Sequence, residues 1–146
     1  MEARHGYCLT LRMGTEWISF ETNGDMTRSI LIVEDDRDIA DVFTELLASE
    51  GYLVVTVYDG EQAFDHVSSH LVDLIVSDVR MPKMDGLTLT ASIRALGKAI
   101  PVILISAIEF QDQARQLPNV TFLRKPVNIE TLIDTVATEL DKSQSA

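Results

Sequence analysis

Cysteine is nearly absent: Cys8 is the only one in 146 residues. A single thiol excludes an intrachain disulfide, which fits a reducing compartment. Basic residues are scarce, 12 Lys and Arg against 23 Asp and Glu, for a net charge of −11. From Ser29 onward the balance is 9 to 19 with no Lys/Arg cluster. Such a chain repels phosphate backbones, so no direct nucleic-acid binding is expected. No apolar run approaches the ~20 residues of a membrane span. The first 28 residues hold no secretory core either, because Arg4, Arg12, Glu16 and Glu21 interrupt them. A cytoplasmic protein is the expectation. Internal repeats and low-complexity tracts are missing as well, and the length leaves room for one ordinary domain.

What is present is organised around Val72–Gly86. Leu74-Ile75-Val76 is apolar at consecutive positions, the mark of a strand buried on both faces, and leads into Ser77 and Asp78. Pro82 then ends regular structure before Asp85-Gly86. A carboxylate is thereby placed where a core strand leaves its sheet, the edge at which open α/β sheets bind ligands.

The flanking chain repeats this plan. Ile30–Val33 is a strand ending at Glu34-Asp35-Asp36. A helix follows with Ile39, Val42, Phe43, Leu46 and Leu47 on one face and Gly51 as its C′ residue. Leu53–Tyr58 is a second strand, and Asp59 caps a helix through Ala63, Phe64 and Val67, with Gln62 at the capping-box position. Leu89, Ser92, Ile93 and Leu96 mark a third helix closed by Gly97. Val102–Ile105 is a strand reaching Ser106-Ala107, and residues 109–117 are weakly helical. Val120–Leu123 is the last strand, ending at Arg124-Lys125-Pro126. Asn128 caps a final helix with Ile129, Leu132, Ile133, Val136 and Leu140 on its face.

Five strands alternating with helices predict an α/β fold, a five-stranded parallel sheet in order 2-1-3-4-5 with helices on both faces. The expected domain is residues 28–141, with a frayed tail at 142–146. Residues 1–27 are expected to be an extension, disordered or a small hairpin. The extension is the favoured reading, since an isolated hairpin is marginal, and Asn23-Gly24-Asp25 reads as a turn within it.

On that topology Glu34, Asp35, Asp78, Ser106 and Lys125 converge on one edge. Carboxylates this close raise one another's pKa unless a cation intervenes, and a hard ion such as Mg²⁺ suits an oxygen-only site. Lys125 can pair with a phosphate oxygen, and an ionised carboxylate can act as a nucleophile without a base. Taken singly, each residue also has an ordinary role as a cap, a turn or a solvated charge. Their shared placement argues for a site.

Ile30–Asp36, the run Asp78-Val-Arg-Met-Pro-Lys-Met-Asp-Gly86, Ser106-Ala107 and Lys125-Pro126 resemble the receiver domain of bacterial two-component response regulators, in its single-domain, flavodoxin-like form. The resemblance covers about residues 28 to 141 and implies that Asp78 accepts a phosphoryl group from a histidine kinase. Mg²⁺ is implied as cofactor, held by Glu34, Asp35, Asp78 and the backbone carbonyl of Arg80. Ser106 and Lys125 would contact the phosphoryl group, Ser106 and Phe122 would form a switch, and the Lys125–Pro126 bond would be cis. The implied partners are a histidine kinase or phosphotransfer protein and a downstream protein target, with no membrane and no catalysis beyond the domain's own phosphorylation and dephosphorylation.

The family more often has threonine at 106 and tyrosine at 122, and the short segment between Ser106 and Lys125 contains Pro118. A Mg²⁺-dependent phosphatase with an aspartyl-phosphate intermediate is the alternative class. Haloacid-dehalogenase-type enzymes place an acid/base aspartate two residues after the nucleophile, where this chain has Arg80. A scaffold without chemistry and a receiver excised from a hybrid kinase are further readings. His66 and His70, at i and i+4, lack a third ligand and read as solvated, while Met81, Met84 and Trp17 read as packing residues. Arg80 and Ile108, each two residues past a site residue, are expected to tune phosphoryl lifetime. If branched Ile108 screens an aspartyl phosphate from water, Ile108→Ala speeds its decay severalfold in a dephosphorylation time course, and an unchanged rate removes that role.

Overall fold

The computed structural model describes residues 8–13, 15–21, 27–107 and 117–145, with the side chains of Thr15, 27–107 and 117–142. Strand β1 (Cys8–Met13) and strand β2 (Glu16–Glu21) form an antiparallel hairpin, with Cys8 opposite Glu21 and Met13 opposite Glu16. It is a sheet of its own. The turn read at Asn23–Asp25 and nearly all of the weak helix read at 109–117 lie outside the described residues.

The main sheet contains β3 (Ser29–Val33), β4 (Leu53–Val57), β5 (Leu74–Asp78), β6 (Val102–Ser106) and β7 (Val120–Arg124). Its order is β4-β3-β5-β6-β7, parallel throughout, which is 2-1-3-4-5 among the five. Four helices are described: α1 (Arg37–Ser49), α2 (Gly60–Ser69), α3 (Gly86–Ala95) and α4 (Ile129–Ser145). Helix α4 continues through Lys142 into the stretch expected to be a frayed tail.

The unbroken apolar runs are explained by a core on each face. Leu31, Val33, Ile75, Val102 and Leu104 pack with Val67 of α2 and with Leu89 and Ile93 of α3. Their strand neighbours Ile30, Ile32, Leu74, Val76 and Ile103 pack on the other face with Leu47 of α1 and with Leu132 and Val136 of α4. Successive strand residues point to opposite faces, so both sets must be apolar.

Each helix start is tied down by a side chain. Asp36 accepts from the Asp38 and Ile39 N–H groups, and Asp59 from that of Gln62. Asp85 accepts from the Thr88 N–H, and Asn128 from those of Glu130 and Thr131. Gln62 in turn accepts from the N–H of Tyr58. Gly51 and Gly97 have φ of 97° and 80°, the left-handed geometry of a helix C′ residue.

Three assignments are corrected. Val42 is 53 %, Ile129 50 % and Leu96, the C-cap residue of α3, 46 % exposed. Val42 lies at the rim of a stripe whose centre is filled by Leu47, and Ile129 opens the first turn of its helix, so neither needs burial. In denaturant unfolding, Leu47→Ala is expected to cost about 2–5 kcal/mol, while Val42→Ala stays within about 0.5 kcal/mol of wild type.

Candidate functional site

The carboxyl edge of the sheet gathers the site. Glu34 and Asp35 follow β3, Asp78 ends β5, Ser106 ends β6 and Lys125 follows β7. Connections leave β3 and β5 toward opposite faces, which opens the crevice between them. Backbone bonds continue past the strands: the Glu34 N–H donates to the Val57 carbonyl at 3.1 Å, and the Lys125 N–H to the Ser106 carbonyl at 2.9 Å.

Glu34 is turned inward and buried, whereas Asp35 next to it is exposed. Asp78 is buried. One carboxylate oxygen from each of the three lies within 4.8 Å of the others. The Lys125 ammonium donates to Asp78 Oδ2 at 2.8 Å, and the Arg80 N–H donates to Asp78 Oδ1 at 3.3 Å. The Lys125–Pro126 peptide bond is cis.

Burial, reinforced by the charge of Asp78 and a hydrogen bond to it, pushes the Glu34 carboxyl up from 4.5 to about 8, against the opposing pull of Lys125. Its Oε2 is buried without a hydrogen-bond partner. Burial alone would push the Lys125 ammonium down, but its hydrogen bond to Asp78 and the charges of Asp78, Glu34 and Asp35 raise it overall. Three oxygen donors, one of them orphaned and kept protonated by burial and by like charge, suit a hard divalent cation.

Ser106 is buried at the end of β6, opposite Arg124. Phe122 is half-buried opposite Leu104 and packs on the core beneath α2 and α3. The Arg80 side chain is exposed, and Ile108 lies outside the described residues. Met81 and Met84 pack on the same core as Phe122. The His66 and His70 rings stack 4.3 Å apart with planes 3° from parallel, so their in-plane lone pairs do not converge on one ion. The side chain of Trp17 is not described.

The loop after Asp78 is closely held. Val79 donates to the Ile105 carbonyl and Gly86 to the Val79 carbonyl. A Cβ on Gly86 would meet the Asp78 carbonyl oxygen at 2.5 Å, so no larger residue fits there. A second contact, unforeseen from the sequence, joins α2 to this loop: Asp59 Oδ2 lies 3.6 Å from Lys83 Nζ, and Gly60 abuts Met84. Its one sequence signal is a glycine at the first position of a helix, where many residues would serve.

The family model of the response regulator receiver domain matches residues 30–137, and the chain belongs to that family. Over 120 residues it is 35 % identical to the transcriptional regulatory protein GlrR of Escherichia coli K12, covering 80 % of this chain and 27 % of that protein. It is 34 % identical to the sensor histidine kinase RcsC of Salmonella typhimurium, covering 80 % of this chain and 12 % of that one. The chain therefore spans a minor part of these relatives. Vibrio cholerae chemotaxis response regulator CheY4 superposes with a TM-score of 0.72 at 27 % identity, covering 78 % of this chain and 99 % of that one. The receiver domain of hybrid histidine kinase CckA gives a TM-score of 0.66 at 38 % identity, covering 77 % and 98 %. The flavodoxin-like receiver fold expected from the sequence is the one observed, and no helix among the described residues is long and apolar enough to cross a membrane.

Between about pH 4.5 and about pH 8, folded Glu34 retains a proton that the unfolded chain has lost. The folded state then binds more protons, so stability of the metal-free protein falls as pH rises through that window. Melting temperatures in chelator should show this decline for wild type, a flatter profile for Glu34→Gln, and a wild-type gain at the upper end on adding a divalent cation.

Proposed function

We propose that this receiver domain is a phosphoacceptor whose Asp78 takes a phosphoryl group from the phosphohistidine of a histidine kinase. The observation that carries the reading is Lys125 Nζ set 2.8 Å from Asp78 Oδ2, beside two further carboxylates and the orphaned Glu34 Oε2. An Asp78 carboxylate oxygen attacks phosphorus in line. The O–P bond forms as the P–N bond to the donor imidazole breaks, and the imidazole leaves with the bonding pair.

Glu34, Asp35, Asp78 and the Arg80 backbone carbonyl are the groups that would hold Mg²⁺. Bound there, the ion neutralises charge on the phosphoryl oxygens. Lys125 then pairs with a phosphoryl oxygen and Ser106 donates its hydroxyl to another. Phe122 is the packing element of the switch, and Arg80 with Ile108 flanks the path of hydrolytic water. The output is altered contact with a downstream protein. Arg80 at the second position after Asp78 leaves no carboxyl acid/base there, which disfavours the phosphatase reading. The 38 % identity to the receiver of hybrid kinase CckA supports a related role, passing the phosphoryl group onward in a relay.

The test is incubation with acetyl phosphate, with and without Mg²⁺, read by intact-protein mass. Wild type should gain one phosphoryl group only with Mg²⁺, and Asp78→Asn none. A gain retained in Asp78→Asn would move the acceptor elsewhere, and no gain in wild type would remove the reading.

A further inference from the structure

The contact between the start of α2 and the loop after Asp78 has the construction of a positioning device. A Cβ on Gly60 would lie 2.3 Å from the Met84 carbonyl oxygen and 2.7 Å from Met84 Cβ. The helix therefore seats backbone against backbone on the loop, at a distance only glycine allows. Next to it, buried Asp59 divides its two oxygens. Oδ1 accepts from the Gln62 N–H at 2.8 Å and caps the helix, while Oδ2 faces Lys83 Nζ at 3.6 Å. Lys83 has φ 69°, a left-handed conformation that lysine rarely adopts unless its surroundings impose it.

The far end of the loop is fixed independently, where the Gly86 N–H donates to the Val79 carbonyl at 2.8 Å and its Cα leaves no gap over Asp78. Arg80, whose N–H reaches Asp78 Oδ1, lies between the two anchors. We propose that Gly60 and Asp59 at the start of α2 act as positioning residues, holding the loop from Val79 to Asp85 so that the Arg80 backbone faces the acidic site. The proposal rests on the phosphoacceptor reading only for the use made of that backbone. Groups that orient metal ligands from behind commonly carry a large share of metal affinity.

The full chain is titrated with Mg²⁺ by calorimetry, and amide hydrogen exchange over residues 79–86 is followed without metal. Gly60→Ala should weaken Mg²⁺ by about tenfold and speed exchange in the loop. Asp59→Asn keeps a competent cap but loses the charge facing Lys83, and should also speed loop exchange. Val67→Ala, two turns further along the same helix in the core on which it packs, controls for general loosening; it should lower the melting temperature and leave Mg²⁺ affinity unchanged. Unchanged affinity and exchange in Gly60→Ala overturn the proposal, as does an equal loss of affinity in Val67→Ala. Should Gly60→Ala fail to fold, Asp59→Asn decides alone: faster loop exchange supports positioning and an unchanged rate overturns it. If wild type itself takes up no Mg²⁺, the phosphoacceptor reading fails, while the exchange data still decide whether α2 holds the loop.

Discussion

Like charges crowded at the end of a buried sheet are the constraint from which the rest of the structure follows. Glu34, Asp35 and Asp78 bring oxygens within 4.8 Å of one another, and a single described ammonium, that of Lys125, bonds among them. At such separations the mutual repulsion amounts to several kcal/mol wherever solvent is partly excluded. The protein can relieve it by holding a proton on Glu34, by holding Lys125 charged, or by admitting a cation. The first two are visible in the direction each group's pKa takes. A site held in this state is poorly satisfied by itself and favours whatever brings positive charge to it.

Such an edge can exist only on a stiff support. Both faces of β3, β5 and β6 are packed, so these strands cannot rotate or slide to let the carboxylates separate. Helix starts are capped by aspartates and an asparagine that draw on the same abundance of acidic and amide side chains. Asp59 joins the two parts, since one of its oxygens serves the helix and the other faces the loop that carries Arg80.

The strands and the members of the site were legible because their signals are local. Consecutive apolar residues in Ile30–Val33 and Leu74–Val76 reflect two-sided burial directly, and strand ends locate Glu34, Asp78, Ser106 and Lys125 without further information. Other features depend on distant parts of the chain. Glu34 and Asp35 read alike in sequence, yet one is buried and the other exposed, because consecutive residues at a strand end turn opposite ways. Val42 has the periodicity of a core residue, but its burial depends on what lies opposite α1, which periodicity does not report. Gly60 carried no warning of its contact with Met84, since a close backbone approach is a tertiary fact. In the N-terminal stretch Tyr7, Leu9, Leu11 and Met13 alternate with other residues and Gly14 breaks the run, a hairpin pattern that a thermodynamic prior about isolated hairpins outweighed.

On the phosphoacceptor reading, modification of Asp78 worsens the charge problem before it solves anything. A carboxylate of unit charge is replaced by a group carrying nearly two, beside the same Glu34 and Asp35. The modified state must therefore recruit donors, and the nearby ones at strand ends are Lys125 and the Ser106 hydroxyl. Lys125 is already engaged with Asp78, so its shift to a phosphoryl oxygen is an exchange of partners rather than a new attraction. On the same reading Ser106 is the group whose movement would cost packing, and Phe122 on the adjacent strand is a half-buried ring packed on the core. Without a hydroxyl, Phe122 would gain nothing from a hydrogen bond in either position of such a switch, and two states would differ only in buried apolar area and fit. A few tens of Å² at about 25 cal/mol per Å² amounts to roughly 1 kcal/mol. That is enough to bias a two-state surface and too little to lock it. Such a switch would leave much of its final commitment to whatever protein binds the altered surface.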